Sequence, residues 1–183
     1  MSSRPVSVSV RRPRGITLVE SFVAMAVVSL GLAFGLPSFR SLVEKQRAQT
    51  AMHLLGAGFA SARMAAVSGR VPVTVCPSDG RGACRGDADW SKGWLVFRDP
   101  RGLGQPANAA AVLRDEGASL GSSLRFVSTR GRPRIRFLPD GRSAGSNITV
   151  TLCRSGEALG QVVVNNLGRV RSTRPGDSAY CAD

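Results

Sequence analysis

The sequence predicts an α+β protein in which a long N-terminal helix packs on an antiparallel β-sheet domain, and three observations carry that expectation. From Ile16 to Leu36 the chain is apolar and holds a single charge, Glu20. Further along, Met52, Leu55, Phe59, Ala62 and Ala66 recur at alternating spacings of three and four, which lines one face of a helix. From Val71 onward the period changes to two, in short apolar runs separated by turn-forming residues.

The N-terminal segment precedes the apolar run with Arg4, Arg11, Arg12 and Arg14 and no acid. As a helix, residues 16–36 rise about 31 Å, enough to cross a bilayer core. The positive-inside rule puts the arginines in the cytoplasm and the remainder of the chain in the periplasm. A secretory signal has a shorter apolar core followed by a small-x-small cleavage site. Here the run ends in Gly35-Leu36-Pro37-Ser38-Phe39-Arg40 instead. A carboxylate inside a membrane segment is costly and marks function, and an ordinary anchor has no use for Glu20.

Gly15-Ile16-Thr17-Leu18-Val19-Glu20 resembles the class III signal of type IV pilins and pseudopilins, with Ile16 in place of the commoner Phe. The resemblance implies cleavage after Gly15 by prepilin peptidase and N-methylation of Ile16. It also implies that Glu20 pairs with the N-terminal amine of a neighbouring subunit, because a mismatched register leaves a buried charge unpaired. Pro37 falls where the family bends its helix, and lacking an amide proton it predicts a bend or local melting there. The organisation expected is a leader at 1–15, a transmembrane helix at 16–36, an amphipathic continuation at 37–69 and a periplasmic β-rich domain at 70–183. Gly69 supplies the helix stop, and Gly56 and Gly58 weaken the helix while permitting close packing.

Strands are expected at 71–75, 93–97, 123–127, 134–137, 147–152 and 161–164, with a short last one at 168–171. Asp99 to Gln105 reads as the mobile loop. Four cysteines in an exported domain predict disulfides, with three pairings possible. Cys76 and Cys84 flank a turn-forming stretch, Cys153 ends a strand-like run and Cys181 lies near the C-terminus. The preferred pairing is therefore Cys76–Cys84 and Cys153–Cys181, stabilising by about 2.5 and about 3.5 kcal/mol on the loop-entropy account. Zinc is the competing use, but no Cys-x-x-Cys occurs and His53, the one histidine, lies far upstream on the helix.

Within the β domain, Cys76 to Cys84 followed by Asp89-Trp90-Ser91-Lys92-Gly93-Trp94-Leu95-Val96-Phe97 resembles the GspH/FimT group of minor pilins and pseudopilins. So does Phe137-Leu138-Pro139-Asp140-Gly141-Arg142, followed by a strand ending in cysteine and a closing Gly-Arg segment. The resemblance implies the type IV pilin-like fold and, as partners, other major or minor pilins.

The formal charge is +13, and removing the four leader arginines leaves +9. Solubility, anionic lipid and nucleic acid each account for such a balance. Gly168-Arg169-Val170-Arg171 matches the Gly-Arg-x-Arg motif of the FimT branch, and the resemblance implies contact with double-stranded DNA during natural transformation. The residues make an independent case. In an extended segment Arg169 and Arg171 share a face about 6.6 Å apart, and guanidinium forks bind phosphate bidentately. Arg174 follows in the same segment. Two exposed arginines also describe a plain solvated strand face. Arg130, Arg132, Arg134 and Arg136 form a second alternating stripe, with Ile135 and Phe137 inward, whose other reading is an edge strand guarded by charge.

Trp90 and Trp94 read as core rather than base-stacking platforms. Arg85-Gly86-Asp87 is a chance tripeptide in an arginine-rich chain, and Asp87, Asp89 and Asp99 match no calcium loop. No nucleophile has a histidine partner in prospect, so no enzyme, metal or cofactor is expected. The function these features suggest is a DNA-binding minor pilin of a type IV pilus, anchored in the inner membrane. The alternative is a structural pseudopilin of H type in a type II secretion system, acting without DNA.

Overall fold

The computed structural model describes Gly15, residues 17–118, Leu120, residues 123–175 and Cys181. Residues 1–14 of the leader, Ile16 and the segment 176–180 lie outside the described residues. Helix α1 is assigned over Leu18–Gly69 and eight strands follow: β1 Val73–Pro77, β2 Gly93–Arg98, β3 Val112–Gly117, β4 Arg125–Ser128, β5 Ile135–Phe137, β6 Ile148–Arg154, β7 Glu157–Val164 and β8 Val170–Thr173. The chain divides into two compact units, the first ending at Val43 and the second comprising Glu44–Asp183.

In the first unit Thr17 caps the helix. Its Oγ1 accepts a hydrogen bond from the Glu20 amide at 3.3 Å, the Thr-x-x-Glu pattern of a capping box. Glu20 thus sits in the first turn, where the helix end favours negative charge. The helix assignment runs through Pro37, so of the bend or local melting expected there the melting does not occur. A proline removes one backbone donor, and the flanking turns keep their own. Every described side chain from Thr17 to Ala33 is exposed. Among the described residues no helix is long and apolar enough to cross a membrane. The span expected at 16–36 is therefore not established by the structure.

In the second unit the expected helix stripe is the packing face. Leu55, Phe59, Ala62 and Ala66 are fully buried and Met52 is half-buried, whereas Leu54, Arg63 and Met64 are exposed. Phe59 meets Trp90 edge-on with ring centroids 5.6 Å apart. A Cβ on Gly58 would stand 2.6 Å from Trp94 Nε1, so that glycine lets the helix approach the indole. Both tryptophans are core residues, Trp90 at 0% and Trp94 at 4% exposure.

One sheet was expected, but two four-stranded antiparallel sheets form, in the orders β3-β2-β1-β5 and β4-β6-β7-β8. Strand β3 escaped the sequence reading because its Arg114-Asp115-Glu116 centre breaks the apolar alternation; it is an exposed edge. The disulfides are Cys76–Cys84 and Cys153–Cys181.

The loop from Asp99 to Gln105 is fastened rather than mobile. Asp99 is 3% exposed, and its carboxylate accepts bonds from Thr74 Oγ1, the Leu103 amide and the Gly104 amide. Gln105 brackets Cys84, accepting from its amide and donating to its carbonyl. Polar, glycine-rich composition suggested a loose loop; one buried carboxylate reverses that.

Asp89 has a measurable consequence. Burial opposes its ionisation, but hydrogen bonds from Ser91 and the charges of Arg85 and Arg125 outweigh it and hold its pKa below the ordinary 3.8. A lowered folded pKa contributes stability above the unfolded value, and that stability is lost as pH falls through the folded value. Asp89→Asn is expected to melt below wild type at pH 7 and to converge with it as the pH drops below about 4. Parallel melting curves across that range would exclude the effect.

Candidate nucleic-acid interface

The β7–β8 connection aims the first arginine outward. The Asn165 side chain accepts from the Arg169 amide at 2.9 Å, and the Gly168 amide donates to the Asn165 carbonyl at 2.8 Å. Gly168 adopts φ +74°, a left-handed conformation that glycine takes without penalty. Strand β8 then pairs with β7 in the register Val164↔Val170 and Val163↔Arg171. Val170 packs against the core, and Ser172 approaches Gly56 of α1. Strand alternation therefore turns Arg171 away from the helix, with Arg169 leading it on the same side.

Both arginines and Arg174 are exposed, and among the described residues no carboxylate pairs with any of them. The four strands of this sheet contain one acid, Glu157, against Arg125, Arg154 and Arg171. Arg154 is matched with Glu44 at 3.3 Å. The field at the free β8 edge is accordingly positive.

The turn after β5 meets this edge. Gly141, at φ +81°, closes a turn in which the Leu138 amide donates to the Arg142 carbonyl at 2.8 Å. The Ser143 amide and hydroxyl donate to the carbonyls of Asn166 and Asn165, at 3.0 and 2.9 Å. From α1, Arg63 Nε donates to the Gly141 carbonyl at 2.8 Å. A Cβ at Gly168 would overlap that same carbonyl oxygen. Two turns with the sequence Gly-Arg are thus locked face to face, and Arg63 and Arg142 join the neighbourhood of Arg169. The sequence reading missed both: Gly-Arg also occurs at 69–70, 80–81 and 131–132, so the dipeptide does not single out Arg142, and nothing in the sequence marks Arg63.

The other basic stripe is used differently. Arg132 donates to the carbonyls of Ala144 and Ser146, Arg134 to that of Gly104, and Arg136 to those of Asp99 and Pro100. These side chains hold loops beside β5, an edge of the other sheet, and Arg136 also meets the Asp99 carboxylate at 3.9 Å. At the opposite end of the chain, Gly15 and Glu20 are exposed. Among the described residues no cluster of His, Cys, Asp and Glu is placed to hold a metal ion.

A helix laid on antiparallel sheets in this way is a pilin-like α+β fold. The chain belongs to the family of the type II transport protein GspH, whose model matches residues 51–168. Two crystal structures of the type IV minor pilin FimU from Pseudomonas aeruginosa strain PAO1 share the fold. One matches with a TM-score of 0.59 at 20% identity, over 76% of this chain and 96% of that one. The other has a TM-score of 0.55, also at 20% identity, over 73% and 96%. No curated protein matches in sequence.

Proposed function

We propose that the protein is a minor pilin of a type IV pilus that binds double-stranded DNA and assists its uptake in natural transformation. One observation carries this reading: Arg169 and Arg171, just before and on an edge strand, are exposed and have no ion-pair partner among the described residues, beside a sheet whose strands hold a single carboxylate. Arg174 continues the surface. Such contacts grip phosphates, so binding is independent of sequence and weakens with salt.

The remaining steps follow the pilin signal. Prepilin peptidase removes residues 1–15, Ile16 becomes the methylated N-terminus, and residues 16–36 anchor the subunit in the inner membrane with the β domain periplasmic. Leu18, Phe22, Met25 and Leu32 on one side of the helix and Val19, Val23, Val27 and Leu30 on the other are all exposed, an apolar surface that lipid or neighbouring pilin helices would cover. In the filament Glu20 meets the amine of an adjoining subunit. The reading includes no catalytic step, metal or cofactor.

The full chain in nonionic detergent is expected to retard a DNA duplex at about 50 mM salt. In the Arg169→Ala/Arg171→Ala variant, the slope of log K against log salt should shrink by roughly 2, from about 0.9 per phosphate contact. No retardation at all, or an unchanged slope, would sink the proposal. The family match also favours a second reading, a structural pseudopilin of a type II secretion system, on which the arginines face protein. That reading expects no duplex binding in either form.

A further inference from the structure

Arg63 lies far from Arg169 in sequence and is brought to it by the two locked turns, and Arg142 directly follows Gly141, whose carbonyl packs on Gly168. Arg63 and Arg169 line one concavity of about 470 Å³, with Ala60, Met64, Val67 and Val170 as its apolar walls. Arg63 spends its Nε on the Gly141 carbonyl, and among the described residues its Nη groups donate to nothing. A guanidinium fixed through Nε keeps donors free in a planar fork, the geometry that matches a phosphate. Arg142 follows Gly141, is exposed, and has no described ion-pair partner. One acid is close by: Asp140 is exposed and caps the turn by accepting from the Arg142 amide at 2.9 Å. The apolar walls lower the local dielectric, which strengthens a guanidinium–phosphate contact at the rim.

We infer that Arg63 and Arg142 belong to the same anion-binding face as Arg169 and Arg171. A phosphodiester backbone then crosses the junction of helix α1 with the two Gly-Arg turns instead of following β8 alone. The inference deepens the DNA-binding reading and rests on it. Arg63 has two duties, since it also positions the Gly141 turn against Gly168.

Salt dependence separates these duties. The full chain in detergent is titrated with a DNA duplex at several salt concentrations, as wild type, Arg63→Gln, Arg63→Lys, Arg142→Gln and Arg169→Ala/Arg171→Ala. Direct contact predicts that Arg63→Gln and Arg142→Gln each reduce the slope magnitude by about 0.9, and that Arg63→Lys restores most of it. Arg142 sits on an exposed turn, so its variant reports even where Arg63→Gln loosens the fold. If both glutamine variants keep the wild-type slope while the double variant loses about 2, the extended face is wrong and the β8 site stands. If the wild type fails to bind duplex, the DNA reading and this inference fall together.

Discussion

Gly168→Ala is expected to destabilise the β domain by about 3 kcal/mol or more and to weaken DNA binding with it. Two costs combine. A non-glycine residue held at φ +74° loses about 1–2 kcal/mol. The new methyl also overlaps the Gly141 carbonyl oxygen, a backbone atom that no rotamer change can move. Separating the turns to make room would strain the Ser143 bonds to Asn165 and Asn166 and the Arg63 bond to Gly141. Each is worth roughly 0.5–1.5 kcal/mol, and the charged one more. Gly80→Ala is the matched control: Gly80 has φ +77° with no atom near the added Cβ. Thermal melting should show Gly80→Ala losing only the conformational cost, about 1–2 kcal/mol. Equal losses in the two variants would show that the turns are not in contact.

That result bears on why Gly-Arg-x-Arg begins with glycine. As a four-residue pattern it says only that two arginines alternate. The structure supplies the reason for the first position: the chain must turn left-handed and pass against the neighbouring turn before Arg169 can emerge. On the proposed reading the motif is half a site, which Gly141-Arg142 with Arg63 would complete. Pairing distant turns is a property of sheet order, and periodicity carries no information about sheet order.

The same distinction runs through the rest of the chain. Local patterns were readable: the Leu55-Phe59-Ala62-Ala66 stripe, most strands and both disulfides appear where residue spacing puts them. Features that depend on one long-range polar contact were not. Asp99 turns a glycine-rich loop into a fixed one through Thr74, 25 residues away. Arg132, Arg134 and Arg136 looked like an alternating cationic face, but they donate to backbone carbonyls of loops, and Arg136 also meets the buried Asp99 carboxylate, none of which sequence marks. Strand β3 was invisible because its Arg114-Asp115-Glu116 centre carries no apolar alternation, unlike the edge strands β4 and β5, which bury alternate residues.

The other large effect is expected at Phe59→Ala, which should cost about 3–5 kcal/mol. Phe59 is fully buried where α1 meets the sheets, and it takes Trp90 edge-on at an interplanar angle of 72°. Truncation removes that ring contact, worth about 0.5–1.5 kcal/mol beyond its area, and leaves a void that the fully buried Trp90 cannot fill without moving. Against a typical total of 5–15 kcal/mol the loss is large, and for a chain of this size it corresponds to a fall in Tm on the order of 10 °C. Leu54→Ala, five positions earlier on the same helix, removes an exposed side chain and should cost less than about 0.5 kcal/mol. Tryptophan fluorescence adds a second readout, because Trp90 and Trp94 are both buried and the chain has no other indole. A red-shifted emission is expected in Phe59→Ala and not in Leu54→Ala. Comparable losses in both variants would mean that α1 presents a different face to the sheets. The Arg63 clamp would then be misplaced with it, because Arg63 lies one helical turn beyond Phe59 and its reach to the Gly141 carbonyl depends on that rotation.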